Sequence, residues 1–224
     1  MNSSPPSADD LPDGVRAYFR DGADPKATAR PALFLDRDGV VVEEVGYLHQ
    51  VEKLTIQVGA PALIRAANAA GAAVVIVTNQ SGIDRYLYTW GDYDAIDGEI
   101  LARLGAQDAV VDARIANGFH PRFTKPWGET HDFWRKPGPG MLLHAIQRLN
   151  LAPERSWMVG DMASDAQAAL AAGLAGAFQM ESVHGPEHRD RALALASSDF
   201  EVHEIQSLEA VQKMVEQRPL FTNI

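Results

Sequence analysis

Short apolar runs that end in polar or turn-forming residues alternate with amphipathic stretches along most of the chain. Apolar runs of this length predict buried strands, and apolar positions spaced three and four apart predict helices. The predicted strands are 31–35, 72–77, 110–115, 157–159 and 175–180, and the predicted helices are 61–70, 92–104, 140–150, an alanine-rich stretch ending near Gly173, and 205–215. Alternating strands and helices predict a doubly wound, Rossmann-like α/β fold with a mostly parallel sheet.

Two segments depart from this pattern. Residues 1–30 are rich in Ser, Pro, Asp and Ala and contain one expected helical turn near 15–20, so we interpret them as an N-terminal arm. Residues 31–224 then form the main domain. Residues 117–135 are polar, aromatic and proline-bearing, and we interpret them as a loop insertion, since loops of this length are usually functional or mobile.

Composition narrows the classes of partner. The 224 residues suffice for one sizeable domain, and 30 acidic against 20 basic residues give a net charge of −10. That charge argues against nucleic acid or an anionic membrane as a partner. There is no cysteine, the first ten residues do not resemble a secretory signal, and no apolar run reaches about 18 residues. We expect a soluble, cytoplasmic protein and favour a monomer.

The first chemical signal follows the strand at 31–35. Asp36 and Asp38 come directly after that apolar run and are followed by Gly39. Because side chains on an extended chain repeat every two residues, both carboxylates are expected on the same side, facing one substrate or ion. Gly39 allows the chain to turn sharply beyond them.

Polar groups also follow other predicted strands. Thr-Asn-Gln-Ser-Gly at 78–82 offers hydroxyl, amide and backbone donors suited to phosphoryl oxygens. Gly160-Asp161 follows a later strand, with Asp165 four residues beyond, and Arg-Lys-Pro at 135–137 supplies two cations. In parallel sheets, sites lie beyond the carboxyl ends of the strands, so these groups are expected to converge.

The order Asp-x-Asp-Gly, Thr-Asn-Gln-Ser-Gly, Arg-Lys-Pro and Gly-Asp-x-x-x-Asp resembles that of the haloacid dehalogenase-like phosphatases over about residues 31–180. Within them, residues 34–40, 78–83 and 135–141 are similar to the D-glycero-D-manno-heptose 1,7-bisphosphate phosphatases, which are related to histidinol-phosphate phosphatases. The resemblance implies a phosphoric monoester hydrolase acting on a small sugar phosphate or bisphosphate. The lack of a long insertion implies that it has no large cap domain.

The resemblance also implies roles for individual residues. Asp36 would be the nucleophile that forms an aspartyl-phosphate, and Asp38 the general acid and base. Mg²⁺ would be held by Asp36, Asp161 and the backbone carbonyl of Asp38. The remaining assignments are Thr78 and Asn79 for phosphoryl oxygens, Gln80 and Ser81 as further substrate-binding residues, Lys136 for charge, Arg135 for a second phosphate, and Gly160 and Asp165 as supporting residues.

The chain departs from the heptose enzymes in the loop before Arg135. Those enzymes commonly carry zinc ligands at positions that here hold Asn117, Phe119, Asp132 and Trp134. A tetrahedral zinc site requires thiolate and imidazole donors, so we predict no structural zinc. The aromatic residues of the loop would order it by apolar packing instead, namely Phe119, Phe123, Trp127, Phe133 and Trp134.

The substrate and even catalysis stay open at this point. Met162 stands where relatives often place a basic residue, which weakens the heptose assignment. Histidinol phosphate or another small phosphate ester would be hydrolysed by the same groups. A non-catalytic phosphosugar-binding protein on the same scaffold is the alternative of a different class.

Overall fold

A computed structural model describes residues 11–181, 183 and 185–217 of the chain. Within these residues one sheet has the strand order β1-β4-β3-β2-β5-β6-β7, with β1 antiparallel to β4 and every other neighbouring pair parallel. The strands are β1 Val15–Phe19, β2 Ala32–Leu35, β3 Ala73–Asn79, β4 Ala113–Asn117, β5 Trp157–Gly160, β6 Gly176–Met180 and β7 Glu201–Ile205.

Helices cover both faces of the sheet. They are α1 Ala60–Ala69, α2 Trp90–Gly105, α3 Glu129–Trp134, α4 Gly140–Leu149, α5 Ala163–Ala171, α6 Glu187–Leu193 and α7 Leu208–Gln217. Apolar residues of α1, α2 and α7 join one core cluster, and those of α4, α5 and α6 join the other. The prediction of a doubly wound α/β fold is therefore confirmed.

The central strand β2 shows why its residues are apolar throughout. Leu33 and Leu35 belong to one core, whereas Ala32 and Phe34 belong to the other. Successive side chains on a strand point to opposite faces, so a strand covered on both faces needs apolar residues at every position. The unbroken apolar run before Asp36 follows from this arrangement.

The order of the strands reverses at β2. The chain passes from β2 to β3 and β4 on one side, then returns to β5, β6 and β7 on the other side. The crevice beyond the carboxyl ends of β2, β3 and β5 is therefore a topological switch point, where doubly wound sheets bind their ligands.

The N-terminal segment differs from its prediction. Residues 15–19 form β1 instead of a helical turn, and they pair with β4 from Val15 opposite Asn117 to Phe19 opposite Ala113. Backbone pairing with an existing strand outweighs a weak local preference for a helix. Residues 1–10 of the predicted arm lie outside the described residues, and the division of the chain at residue 30 stays a prediction.

The C-terminal region also contains elements that the sequence did not predict. The short helix α6 and the edge strand β7 precede α7, which begins at Leu208 instead of near residue 205. Ile205 is the buried last residue of β7. In the loop insertion, α3 is an unpredicted helix. Among the described residues, no helix combines the length and the apolar character needed to cross a bilayer.

Candidate active site

The ends of three neighbouring strands meet at one cavity of about 550 Å³. Asp36 follows β2, Thr78 and Asn79 end β3, and Asp161 follows β5. The cavity is lined by these residues and by Arg37, Asp38, Gln80, Ser81, Tyr88, Arg135, Lys136, Met162 and Asp165, among others. A cavity of this size suits a small molecule, and the predicted convergence of the polar strand ends is observed.

A tight turn brings the chain that follows β2 close to Asp161, which follows β5. Gly39 has φ +83°, a conformation that residues with a side chain rarely adopt. A Cβ atom at this position would lie 2.9 Å from Oδ2 of Asp161. Glycine is therefore required twice, by the turn after Asp38 and by the close approach of the Asp161 carboxylate.

Lys136 lies buried between two carboxylates. Its Nζ is 2.9 Å from Oδ1 of Asp36 and 2.6 Å from Oδ1 of Asp165, and it donates to the carbonyl oxygen of Val77 at 2.9 Å. Burial alone would lower the pKa of Lys136, but Asp165 and Asp36 outweigh it and raise that pKa. The ammonium group is therefore held in its charged form beside Asp36.

The pKa values of the buried carboxyl groups are raised as well, which favours their uncharged form. Burial raises the pKa of Asp36 to about 7, against the attraction of Lys136. Burial, and then the charges of Asp36 and Asp165, raise the pKa of Asp161 to about 8. Without a further cation, one ammonium group cannot balance three carboxylates in a low-dielectric site.

The carboxylate group fits a divalent cation. Asp36, Asp161 and Asp165 are buried, and each offers an oxygen within 4.8 Å of those of the other two. Asp165 is already engaged, because Oδ1 meets Lys136 and Oδ2 accepts from the backbone N–H of Met162 at 3.0 Å. Asp36 and Asp161 are therefore the better ligands, and an all-oxygen set suits a hard ion such as Mg²⁺.

The residues of the Thr-Asn-Gln segment make different contacts, and the sequence did not predict them. Asn79 donates to the carbonyl oxygen of Lys136 at 3.0 Å and accepts from its N–H at 3.2 Å, so its amide fixes the backbone of Lys136. Gln80 is buried and donates to Oγ1 of Thr78 at 2.7 Å. Ser81 lines the cavity.

Asp38 lies beside a buried guanidinium. Arg37 is 1% exposed and donates from Nε to Oδ2 of Asp38 at 3.1 Å and from Nη2 to Oδ1 at 2.9 Å. The side chain of Asp38 also accepts from Gln80 at 2.8 Å. Its carboxylate does not belong to the group of three described carboxylates that could hold a metal. The predicted role of its backbone carbonyl stays a prediction.

Arg135 enters the cavity from the loop insertion. Its Nη1 donates to the carbonyl oxygen of Phe119 at 2.8 Å, and burial lowers the pKa of the guanidinium. The side chain is held in place and presents a positive charge to the cavity. Its predicted contact with a second phosphate stays a prediction.

Aromatic pairs pack within the loop insertion. Ring centroids are 4.5 Å apart for Phe119 and His131, 5.0 Å for Trp127 and His131, and 5.6 Å for Phe133 and Trp134. At the start of the loop, Asn117 is buried and donates to Oδ1 of Asn79 at 3.3 Å. The expected apolar packing is present for Phe119, Trp127, Phe133 and Trp134, whereas Phe123 is 48% exposed. The expected lack of structural zinc stays a prediction.

Sequence reasoning assigned no role to three residues that the structure brings to the site. Arg37 and Tyr88 contact the Gln80 side chain, and Asn117 supports Asn79. An ion pair of Arg37 could have been predicted, because Arg37 lies between Asp36 and Asp38 in the sequence. The sequence around Tyr88 carried no such signal, since its contact depends on loop conformation. The contact of Asn117 depends on strand pairing, because Asn117 ends β4 and lies opposite Asn79 of β3.

This arrangement defines a hydrolase of a recognisable class. The model of the haloacid dehalogenase-like hydrolases matches residues 12–173, and the chain belongs to this family. The resemblance noted in the sequence is confirmed, as is the expectation of an enzyme.

Particular relatives are more specific. The chain is 40% identical over 145 residues to D-glycero-β-D-manno-heptose-1,7-bisphosphate 7-phosphatase of Mesorhizobium japonicum. The matched residues cover 65% of this chain and 67% of the relative. The chain is also 36% identical over 151 residues to the enzyme of the same name from Escherichia coli K12, covering 65% and 76%.

Solved structures agree with the fold. A candidate HAD-like phosphatase from Mesorhizobium loti has a TM-score of 0.78 at 30% identity, covering 94% of this chain and 96% of the other. D,D-heptose 1,7-bisphosphate phosphatase from B. bronchiseptica, complexed with magnesium and phosphate, has a TM-score of 0.70 at 27% identity, covering 84% and 98%.

Proposed function

We propose that the chain is a Mg²⁺-dependent phosphatase that hydrolyses a small sugar bisphosphate, with D-glycero-D-manno-heptose 1,7-bisphosphate as its substrate and the 7-phosphate as the group removed. The observation that carries the proposal is the buried group formed by Asp36, Asp161, Asp165 and Lys136 at the switch point of the sheet. The names of the relatives support the choice of substrate.

Asp36 is the proposed nucleophile. Oδ1 accepts from the backbone N–H of Arg37 at 2.8 Å and from Lys136, so among the described residues Oδ2 is the oxygen left to attack. In the first step, Oδ2 forms a bond to phosphorus and the bond from phosphorus to the sugar oxygen breaks. Asp38 gives that oxygen its proton, which releases the sugar as an alcohol.

Water completes the cycle. Its oxygen bonds to phosphorus as the bond from Asp36 to phosphorus breaks, and Asp38 takes the water proton, which returns both side chains to their starting states. Lys136 and the Thr78 hydroxyl would stabilise the phosphoryl oxygens. Asp36 and Asp161, with the Asp38 carbonyl, would hold Mg²⁺, which offsets the repulsion between carboxylate and phosphate when bound.

A phosphate-release assay tests this function. We expect the purified protein with Mg²⁺ to release inorganic phosphate from the heptose bisphosphate within a panel of phosphorylated metabolites. Asp36→Asn should abolish release, whereas Asp94→Asn, which changes an exposed aspartate on α2, should not. A folded wild-type protein that releases no phosphate from any ester would overturn the proposal and favour a phosphosugar-binding protein.

Arg135 provides the test of the bisphosphate. We expect Arg135→Ala to raise the KM of a bisphosphate about tenfold or more while changing that of a monophosphate little, since a lost charge-assisted contact costs about 1.5–3 kcal/mol. Arg65→Ala is the matched control, because Arg65 also donates to a backbone carbonyl, that of Gln107. Equal effects on both substrates, or a preference for histidinol phosphate, would refute this assignment. Cytoplasmic location and a monomeric state remain predictions.

A further inference from the structure

The Gln80 side chain uses every hydrogen-bonding position that an amide has. Its Nε2 donates to Oδ2 of Asp38 at 2.8 Å and to Oγ1 of Thr78 at 2.7 Å. Its Oε1 accepts from Nη2 of Arg37 at 2.9 Å and from the Tyr88 hydroxyl at 2.6 Å. A side-chain amide has two N–H donors and two lone pairs, so nothing remains for a substrate. The predicted substrate-binding role of Gln80 stays a prediction, and in the described structure its side chain serves neighbouring residues instead.

The chemistry of the neighbours fixes which way the amide points. A guanidinium can only donate, so the atom that faces Arg37 must be the amide oxygen. The amide nitrogen then faces Asp38 and Thr78. Because the Thr78 oxygen accepts from Gln80, its own O–H is directed to another acceptor, which suits a hydroxyl that binds a phosphoryl oxygen.

Tyr88 supports the amide from the cavity wall. It is 7% exposed, and its ring lies against Gly82, where a Cβ atom would be 2.0 Å from Cε1 of the ring. Burial raises the pKa of Tyr88 to about 12, so the hydroxyl keeps its proton at neutral pH. The hydroxyl is therefore a permanent donor to Gln80.

We propose that Gln80, Tyr88 and Arg37 form a positioning network that holds the Asp38 carboxyl group for proton transfer to the leaving oxygen. This inference rests on the proposed function. Asp38 follows the end of a strand and its side chain is 19% exposed, so without these contacts it would sample several rotamers. Gln80 ties Asp38 to Thr78, which fixes the proton donor relative to a group that binds the phosphoryl oxygens.

The test compares two leaving groups. An alkoxide is a poor leaving group that needs the proton from Asp38, whereas p-nitrophenolate leaves without one. The ratio of their kcat/KM values therefore isolates proton donation, since kcat/KM reports the steps up to release of the alcohol. We expect Gln80→Leu to lower kcat/KM about 100-fold for an alkyl phosphate and less than about fivefold for p-nitrophenyl phosphate. Asp38→Asn should show the same selectivity.

Tyr88→Phe is the second variant, because it removes only the hydroxyl and keeps the packing of the ring. We expect it to lower kcat/KM for the alkyl phosphate about fivefold, which corresponds to one hydrogen bond, with little change for p-nitrophenyl phosphate. Tyr86→Phe is the matched control, since Tyr86 is 90% exposed and should change neither value.

The outcomes separate the two proposals. A wild-type protein that releases no phosphate from these two esters or from any member of the metabolite panel overturns the proposed function. A wild-type protein that is active, with Tyr88→Phe and Gln80→Leu lowering both kcat/KM values equally or lowering neither, overturns the positioning network. If Gln80→Leu does not fold, the result with Tyr88→Phe decides alone.

Discussion

One ammonium group holds the buried carboxylates of the site together. Lys136 is 3% exposed and pairs with Asp36 and Asp165, so its charge is largely shielded from bulk water. The desolvation of such a group is costly, and the pairing stabilises the fold only while all partners are present. The same group that supports the proposed chemistry is therefore required for stability.

Lys136→Met should reveal both roles. The substitution keeps most of the side-chain volume but removes the charge, which leaves two buried carboxylates without their partner. We expect the free energy of unfolding at neutral pH to fall by about 3 kcal/mol and kcat/KM to fall by about 1,000-fold. Lys53→Met, which changes an exposed lysine, should alter neither. An unchanged urea midpoint for Lys136→Met would contradict the first expectation.

Gly39→Ala tests the turn after Asp38, in which the backbone of Gly39 lies close to Asp161. Alanine at φ +83° costs about 1–2 kcal/mol, and its Cβ would also press on the Asp161 carboxylate. Gly22→Ala is the matched control, because Gly22 has φ +75° and a Cβ atom there would have no other atom within 4 Å. We expect both variants to lower the midpoint of thermal unfolding, but only Gly39→Ala to weaken Mg²⁺ binding in calorimetry. Equal Mg²⁺ affinities would contradict the close approach.

At this scale the sequence predicted where the reactive groups lie better than what each side chain touches. Asp36, Asp161 and Lys136 do lie near each other: Asp36 and Asp161 directly follow buried strands, whereas Lys136 lies in the loop between α3 and α4. The partners of Asn79 and Gln80 were not predictable, because they depend on the loop positions of Lys136 and Tyr88. Neighbours that are distant in sequence decide these contacts.

Among the elements, β1 pairs with β4, and a buried aspartate just before β4 adds a second link to the sheet. Oδ1 of Asp112 is 3.0 Å from Nη2 of Arg20 and 3.2 Å from Nη2 of Arg30, and Oδ2 accepts from the backbone N–H of Val74 at 3.0 Å. Arg20 directly follows β1, and Arg30 precedes β2. One carboxylate therefore ties the N-terminal segment to two strands of the sheet.

Asp112→Ala should destabilise the protein by about 2–3 kcal/mol, because it leaves the Val74 N–H and the Arg30 guanidinium without this acceptor. Asp94→Ala is the matched control, since Asp94 pairs with Arg16 of β1 in an exposed position and should cost less than about 1 kcal/mol. Urea unfolding with an unchanged m-value gives both numbers. Similar losses for the two variants would show that burial of Asp112 does not matter.

The two strands that sequence reasoning missed, β1 and β7, share a physical cause. The strands β2, β3 and β5 are buried on both faces, so their own apolar runs identify them. The strands β1 and β7 lie at the edges of the sheet and carry polar residues, and their extended form depends on pairing with β4 and β6. Strand formation at an edge is decided by the neighbouring strand more than by local sequence.

Considered as a whole, the molecule combines an acidic surface with a site suited to an anion. The chain has a net charge of −10, yet Arg37, Arg135 and Lys136 all line the cavity. The same cavity is lined by five acidic residues, namely Asp36, Asp38, Glu44, Asp161 and Asp165. The proposed Mg²⁺ would therefore be needed to offset their charge when a phosphate binds. The net charge of the whole chain therefore does not indicate which ligand the cavity binds; the charged groups that line the cavity do.

The raised pKa values of the buried carboxyl groups predict how the free energy of unfolding depends on pH once EDTA has removed metal ions. Because the pKa values of Asp36 and Asp161 rise from 3.8 to about 7 and about 8 on folding, the native state binds more protons than the unfolded state between these limits. The free energy of unfolding should therefore fall as the pH rises from about 4 to about 8. Mg²⁺ competes with these protons, so the rise in the unfolding midpoint on adding Mg²⁺ should be larger at pH 8 than at pH 5.

Repulsion among the charged groups of the acidic surface also lowers the free energy of unfolding as the pH rises. Asp161→Asn separates the two effects, since it keeps the surface but removes one buried titrating group. We expect thermal unfolding of this variant to depend less on pH in EDTA and to respond less to Mg²⁺ than that of the wild type. Identical pH profiles for the two proteins would mean that Asp161 does not bind extra protons on folding. A Mg²⁺ effect of equal size at both pH values would exclude competition between metal and protons at this site.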